Sequence, residues 1–174
     1  MVEDVRKNVA DRDGQDQQAV AGATPPPLDD APARLRFRSD APFESPIAPL
    51  ADFLAGGNFA AVRIDPGEDV RALLPHLERL KLVEIAFPKF RDGRGYSSAR
   101  ILREGGFAGE IRAVGDVLVD QLGFMRRVGF DSFAPNRPLD PAVVAATLAR
   151  FPHVYMKAAD GLAPVWALRH QAGA

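Results

Sequence analysis

From Phe59 onward the sequence alternates short runs of β-branched and aromatic residues with amphipathic stretches of ten to thirteen residues, and this alternation most constrains the fold. Strand, helix and strand in succession build βα units around a parallel sheet. Four consecutive units can be counted. The first pairs a strand over Phe59–Ile64 with a helix from about Glu68 to Leu80, where Leu73, Leu74, Leu77 and Leu80 share a face and Pro75 kinks or restarts the helix. The second pairs Leu82–Phe87 with a helix from about Tyr96 to Glu104, stopped by Gly105-Gly106. The third pairs Glu110–Val114 with a helix from Asp116 to Val128, and the fourth pairs Asp131–Ala134 with Leu139–Phe151, Asp140 standing in N-cap position before Pro141.

The expected fold class is therefore α/β, with a parallel sheet that is half-TIM-barrel-like or a short open sheet. Residues 1–33 are polar, acidic and proline-punctuated, with too little apolar surface to offset ordering entropy, and read as a disordered tail. Residues 34–174 read as a single α/β domain. Its lead-in begins with Arg34-Leu35-Arg36-Phe37-Arg38, which alternates like an edge strand, and Pro42, Pro46 and Pro49 then prevent a long regular element. The edges of so short a sheet need pairing or covering, which points to a homo-oligomer; Val154-Tyr155-Met156 and Val165-Trp166-Ala167-Leu168 are candidates for a covering strand or a partner surface.

Charge and cysteine usage narrow the function. The tail holds seven acids and three bases, which leaves the remainder with 19 bases and 16 acids, too small a surplus for duplex nucleic acid. A small anionic ligand or an acidic protein patch fits better. With no cysteine, thiolate catalysis, disulfides and Cys-ligated clusters are excluded, and the three histidines are too dispersed for a metal centre. No secretory pattern or apolar run of membrane-spanning length occurs, so a cytoplasmic protein with no membrane partner is expected.

In parallel βα architectures the ligand-facing residues lie past the carboxyl ends of the strands. The most chemically loaded of these loops is Lys89-Phe90-Arg91-Asp92-Gly93-Arg94-Gly95, followed by Tyr96 and Ser97 at a helix start, where backbone amides and cations favour an anion. Two arginine forks at about 1.5 to 3 kcal/mol each, with a helix start at about 0.3 to 1 kcal/mol, amount to roughly 5 kcal/mol, an anchor rather than a tight site. Gly93-Arg94-Gly95 is also a near miss for a dinucleotide fingerprint, with Asp116 about twenty residues on, but Arg94 occupies the tight turn and serine replaces the third glycine. Asp116 has the position of a helix cap, and Asp120 lies one turn further on the same face. Both are candidates for proton transfer, as is Tyr96, for which packing of the loop onto the helix is the competing use. Gln121 is placed to hydrogen-bond a ligand or the loop, and Arg100 has i,i+4 spacing to Glu104.

Phe87-Pro88-Lys89-Phe90-Arg91-Asp92-Gly93-Arg94-Gly95-Tyr96-Ser97-Ser98-Ala99-Arg100, followed at similar separation by Arg112-Ala113-Val114-Gly115-Asp116-Val117-Leu118-Val119-Asp120-Gln121-Leu122 and Gly129-Phe130-Asp131-Ser132-Phe133, resembles the bacterial family called domain of unknown function 934. The resemblance covers about residues 58–160. It implies a setting beside the sulfite reductase haemoprotein and other sulfate-assimilation functions, and an oxidoreductase label with no reaction attached. Carried over, it points to Lys89, Asp92, Gly93, Arg94, Gly95, Tyr96 and Arg100, and to Arg112, Gly115, Asp116, Asp120 and Gln121. Three readings follow: an accessory protein of assimilatory sulfite reduction acting with the haemoprotein, a βα enzyme for a phosphorylated or sulfated metabolite, and a self-contained flavin or NAD(P) oxidoreductase. The residues specify no metal and no particular cofactor.

Overall fold

The computed structural model describes residues 34–169, so the expectation for the 1–33 segment lies outside the described residues. A six-stranded, mixed and mostly parallel sheet is flanked by helices. In chain order the elements are β1 (Leu35–Arg36), β2 (Ala48–Pro49), α1 (Leu50–Leu54), β3 (Ala61–Ile64), a 3-10 helix (Val70–Arg79), β4 (Leu82–Phe87), α2 (Arg94–Glu104), β5 (Glu110–Gly115), a 3-10 turn (Val119–Gln121) running into α3 (Leu122–Val128), β6 (Ser132–Pro135), α4 (Pro141–Ala149) and α5 (Val165–Arg169). The strand order is β1-β6-β5-β4-β3-β2, with β1 antiparallel to β6 and every other pair parallel.

Three departures from the sequence reading have local causes. The helix after β3 is a 3-10 helix, because Pro75 lacks the N–H and crowds the carbonyl that an α-helix would place there. The helix expected from Asp116 starts as an α-helix only at Leu122, since the Asp116 carboxylate is used elsewhere. The proline-rich lead-in contributes a parallel strand, β2, besides the antiparallel edge strand β1. Pro49 is tolerated because β2 is an edge. Residues 37–47 connect opposite edges, passing the N-terminal ends of the parallel strands, where the Arg38 guanidinium donates to the Ala108 and Gly109 carbonyls. Val154 forms only an isolated bridge to Pro164 and not a covering strand.

The two sheet faces differ in chemistry. Val62, Ile64, Val83, Ile85, Phe87, Ile111, Ala113 and Phe133 form the apolar face, packed against Leu73, Ala99, Leu102, Leu122, Met125 and Val144 of the helical layer. In that layer α2 packs between the 3-10 helix and α3, and α3 packs against α4. The intervening positions point the other way, as strand alternation requires. There the register aligns Arg63, Glu84, Arg112, Ser132 and Arg36 across β3, β4, β5, β6 and β1. Arg112 donates to Glu84 at 3.1 Å and to Glu110 at 2.9 Å; Arg63 reaches Glu84 at 3.0 Å, and Arg36 reaches Glu110 at 2.9 Å. Ser132 donates to the same Glu110 carboxylate.

Glu84, Glu110 and Arg112 are almost entirely buried, and the pairing among them offsets the cost of taking these charges out of water. Arg112→Ala leaves two buried carboxylates short of a cation and is expected to cost about 3 to 5 kcal/mol, read from the midpoint of urea unfolding. A loss within the range of surface substitutions, about 0.5 kcal/mol, would show that the ladder is not needed for stability.

Candidate functional site

The loop after β4 is built around internal hydrogen bonds. Asp92 accepts from the Arg94 backbone N–H at 3.2 Å, from its Nε at 2.9 Å and from its terminal guanidinium nitrogen at 2.6 Å. The anion at the start of α2 is thus Asp92 itself, and the Arg94 fork counted toward an external anion is already engaged. Side-chain hydrogen bonds from Arg94, then its backbone N–H, hold the Asp92 carboxyl at about 2, below the ordinary 3.8.

Gly95 is needed for packing. A Cβ there would lie 2.5 Å from the Phe87 ring, so α2 could not close onto the end of β4. Close packing thus accounts for Gly95 without a bound nucleotide. Tyr96 sits within the same aromatic cluster, 5.6 Å from Phe87, 5.4 Å from Phe124 and 6.5 Å from Phe130 between ring centroids. Burial, and then the negative charge of Asp120, push its phenol up, which makes it a poorer proton donor.

From the β5 side two residues clasp the loop. Gly115 adopts φ +107°, and a Cβ on it would come within 2.4 Å of the Phe87 carbonyl oxygen. That close approach lets the Asp116 N–H donate to Phe87 O at 2.7 Å and places its carboxylate to accept from Phe90 N–H at 3.0 Å. The Gln121 side-chain amide donates to Phe90 O at 2.9 Å, while its oxygen accepts from Leu118 N–H at 3.4 Å. Asp116 is therefore a loop anchor and not the cap of the next helix. Both polar groups of the Phe90 peptide unit are held, and its ring stands 43% exposed between exposed Lys89 and Arg91. Among the described residues neither cation forms an ion pair.

The structure thus brings together Lys89, Arg91, Asp92, Gly93, Arg94, Gly115, Asp116 and Gln121. It leaves others apart. Ser97 is exposed on α2 and Arg100 lies further along the helix paired with Glu104 at 2.7 Å, whereas Asp120 acts on the Tyr96 phenol and lines a rim cleft with Asp116. Phe90 as a presented aromatic, and the partners of Arg112, were not singled out from sequence. The available signals were the charges Glu84 and Arg112 at alternate positions within otherwise apolar strands.

Three clefts bear on ligand binding. On the rim, a 250 Å³ cleft holds Asp65, Glu68, Asp69 and Asp92 against Arg71 and Arg94, an acid excess unsuited to an anion. A second rim cleft, of 290 Å³, is lined by Asp116, Asp120 and Arg137. The largest, of 870 Å³, lies at the opposite ends of the strands between Arg36, Arg38 and Asp40 on one side and Leu74, Leu77 and Leu80 on the other. Its arginines are committed: Arg36 is bound to Glu110 and to Asp40, and Arg38 to Asp40 and Asp131. Among the described residues no three acidic or histidine side chains cluster closely enough to hold a metal, and no helix is long and apolar enough to cross a membrane.

Fold and rim together define an α/β protein that presents a braced, cationic and aromatic loop at the carboxyl ends of its parallel strands. Residues 61–166 match the sequence model of a bacterial protein family of unknown function, DUF934, and the chain belongs to that family. No curated protein and no solved structure matches the chain.

The Asp92 assignment is directly measurable. In the intact protein its carboxyl should titrate near 2, and Arg94→Ala should return it toward 3.8, followed by NMR. Because the folded value is depressed, this contact contributes stability above about 3.8 and loses it as pH falls through about 2. An unchanged titration in the variant would contradict the loop geometry.

Proposed function

We propose that the protein is an accessory protein of cytoplasmic assimilatory sulfate and sulfite reduction, which docks on an acidic surface of the sulfite reductase haemoprotein through Lys89, Phe90 and Arg91. The clasped Phe90 carries this reading. An aromatic side chain held out by a backbone that is fixed at both its N–H and its C=O loses little freedom on binding, and two unpaired flanking cations steer it toward acidic surface. The family resemblance supplies the partner. The internal saturation of the buried Arg/Glu ladder supports exposed cations, not buried ones, as the contact with negative charge.

Purified haemoprotein titrated with the full chain at low salt should bind, and Phe90→Ala should weaken the complex at least tenfold, since truncating a central aromatic anchor costs about 2 kcal/mol or more. Binding should also fall with added salt. Absence of association at low salt, or equal affinity for the variant, would remove the proposal.

A second reading, a βα enzyme acting on a phosphorylated or sulfated small metabolite, rests on the rim cleft lined by Arg137, Asp116 and Asp120. There Arg137 holds the anion and the carboxylates exchange protons. This reading predicts a rise in melting temperature with millimolar phosphate, sulfate or sulfite that Arg137→Ala abolishes. No rise, or one retained in the variant, contradicts it.

A further inference from the structure

A fourth cleft, of 290 Å³, lies away from the rim, between the last turns of α2 and α3 and the segment that begins at Lys157. Its charge sets it apart. In both rim clefts acids outnumber cations, and in the largest cleft Arg36, Arg38 and Lys81 are matched by Asp40, Glu78 and Glu110. Here Arg100, Arg103, Arg127 and Lys157 face one lining acid, Glu104. The four cations are held by different means, which decides what each can do. Arg103 spends every N–H on Gly129 O, Phe107 O, Gly109 O and Asp131, so it supplies a fixed charge and covers carbonyls at the helix ends that would repel an anion. Arg127 donates to Asp160 at 3.3 Å and to Met156 O, while its own carbonyl accepts from Ala159 N–H at 2.9 Å. These bonds strap the backbone on both sides of Lys157 to α3. Lys157 forms no ion pair among the described residues and stands 5.9 Å from the Trp166 ring centroid. Arg100 gives its Nε–H to Glu104 at 2.7 Å and keeps its terminal nitrogens. Free donors therefore remain on Arg100, Arg127 and Lys157, one residue from each of three segments.

We propose that this cleft is a binding site for a phosphate-type dianion, free or carried as the monoester of a small organic group. Cationic donors from three segments match the several acceptor oxygens of such a group, and its double charge suits a cleft in which cations exceed acids. Val128, Ala158 and Ala159 complete the lining and give an organic body apolar surface to rest on. The affinity is modest for a stated reason. Asp131 and Asp160 offset part of the charge from behind, and Glu104 competes for Arg100, so the dissociation constant is expected on the order of 1 mM. No lining residue is shared with the Phe90 loop or with the Arg137 cleft.

Backbone amide spectra of the full chain, titrated with inorganic phosphate at an ionic strength held constant with sodium chloride, should show saturable shifts at residues 100–104, 127–128 and 157–159. Lys157→Ala, a change at an exposed position, should weaken binding about tenfold. Glu104→Gln removes the competing carboxylate and should tighten binding about threefold. Arg137→Ala should leave these shifts unchanged, which separates this site from the rim cleft. Glycerol phosphate serves as the second probe: tighter binding than inorganic phosphate marks a monoester site, and equal binding marks a site for the free anion. Shifts that sodium chloride alone reproduces, shifts that have not begun to saturate by about 20 mM phosphate, or equal affinity in Lys157→Ala overturn the proposal.

Discussion

The charged ladder on the sheet face away from the helices is the interaction on which the rest depends. A parallel sheet buried by apolar side chains alone has little to forbid a slipped register, since Val, Ile and Ala exchange places at small cost. Charges at alternating positions remove that freedom. Glu84 must meet Arg63 on one side and Arg112 on the other, and Glu110 must receive Arg112, Ser132 and Arg36. A slip of one residue turns every one of these groups into the apolar helical layer. Burial pushes the Glu110 carboxyl up, but the hydrogen bonds from Ser132, Arg36 and Arg112 outweigh it and hold it below its ordinary value. The net energy of such a network is modest compared with an apolar replacement, so its contribution is to specify one pairing among several.

Register in turn builds the rim. The pairing that sets Glu84 opposite Arg112 also sets Phe87 opposite Gly115 three residues later. Only with that alignment, and with glycine at position 115, does the next residue reach across to Phe90. Gln121 completes the clasp from the 3-10 turn that leads into α3. The arrangement leaves the loop rigid in its backbone and committed in its Asp92–Arg94 pair, while Lys89, Phe90 and Arg91 face outward.

Much of the sheet was readable in the sequence because its signals are local. Leu82–Phe87 is, Glu84 aside, an apolar run bounded by Lys81 and Pro88, and it forms β4 over those same residues. Asp140 before Pro141 caps α4 as the spacing requires, accepting from Ala142 N–H at 2.8 Å. The misreadings arose where a distant partner outcompetes a local preference. Asp116 has the sequence position of a cap, yet a backbone amide 26 residues earlier in the chain claims its carboxylate. Arg94 reads as a free cation until Asp92, two residues away, folds back onto it. Pro49 reads as a strand breaker and is one only inside a sheet, not at its edge. One partner of Arg112, Glu110, stands two residues back on its own strand, and the other, Glu84, lies on β4, opposite it only after the register is chosen.

The central claim is that the braced loop at the strand ends is the contact surface. It is most directly tested by recording backbone amide spectra of the full chain while the sulfite reductase haemoprotein is added at low salt. The account predicts selective broadening of residues 88–94 and 116–121, and little change along residues 105–110 at the opposite ends of the strands. Broadening confined to that opposite end, or none at all, would contradict it.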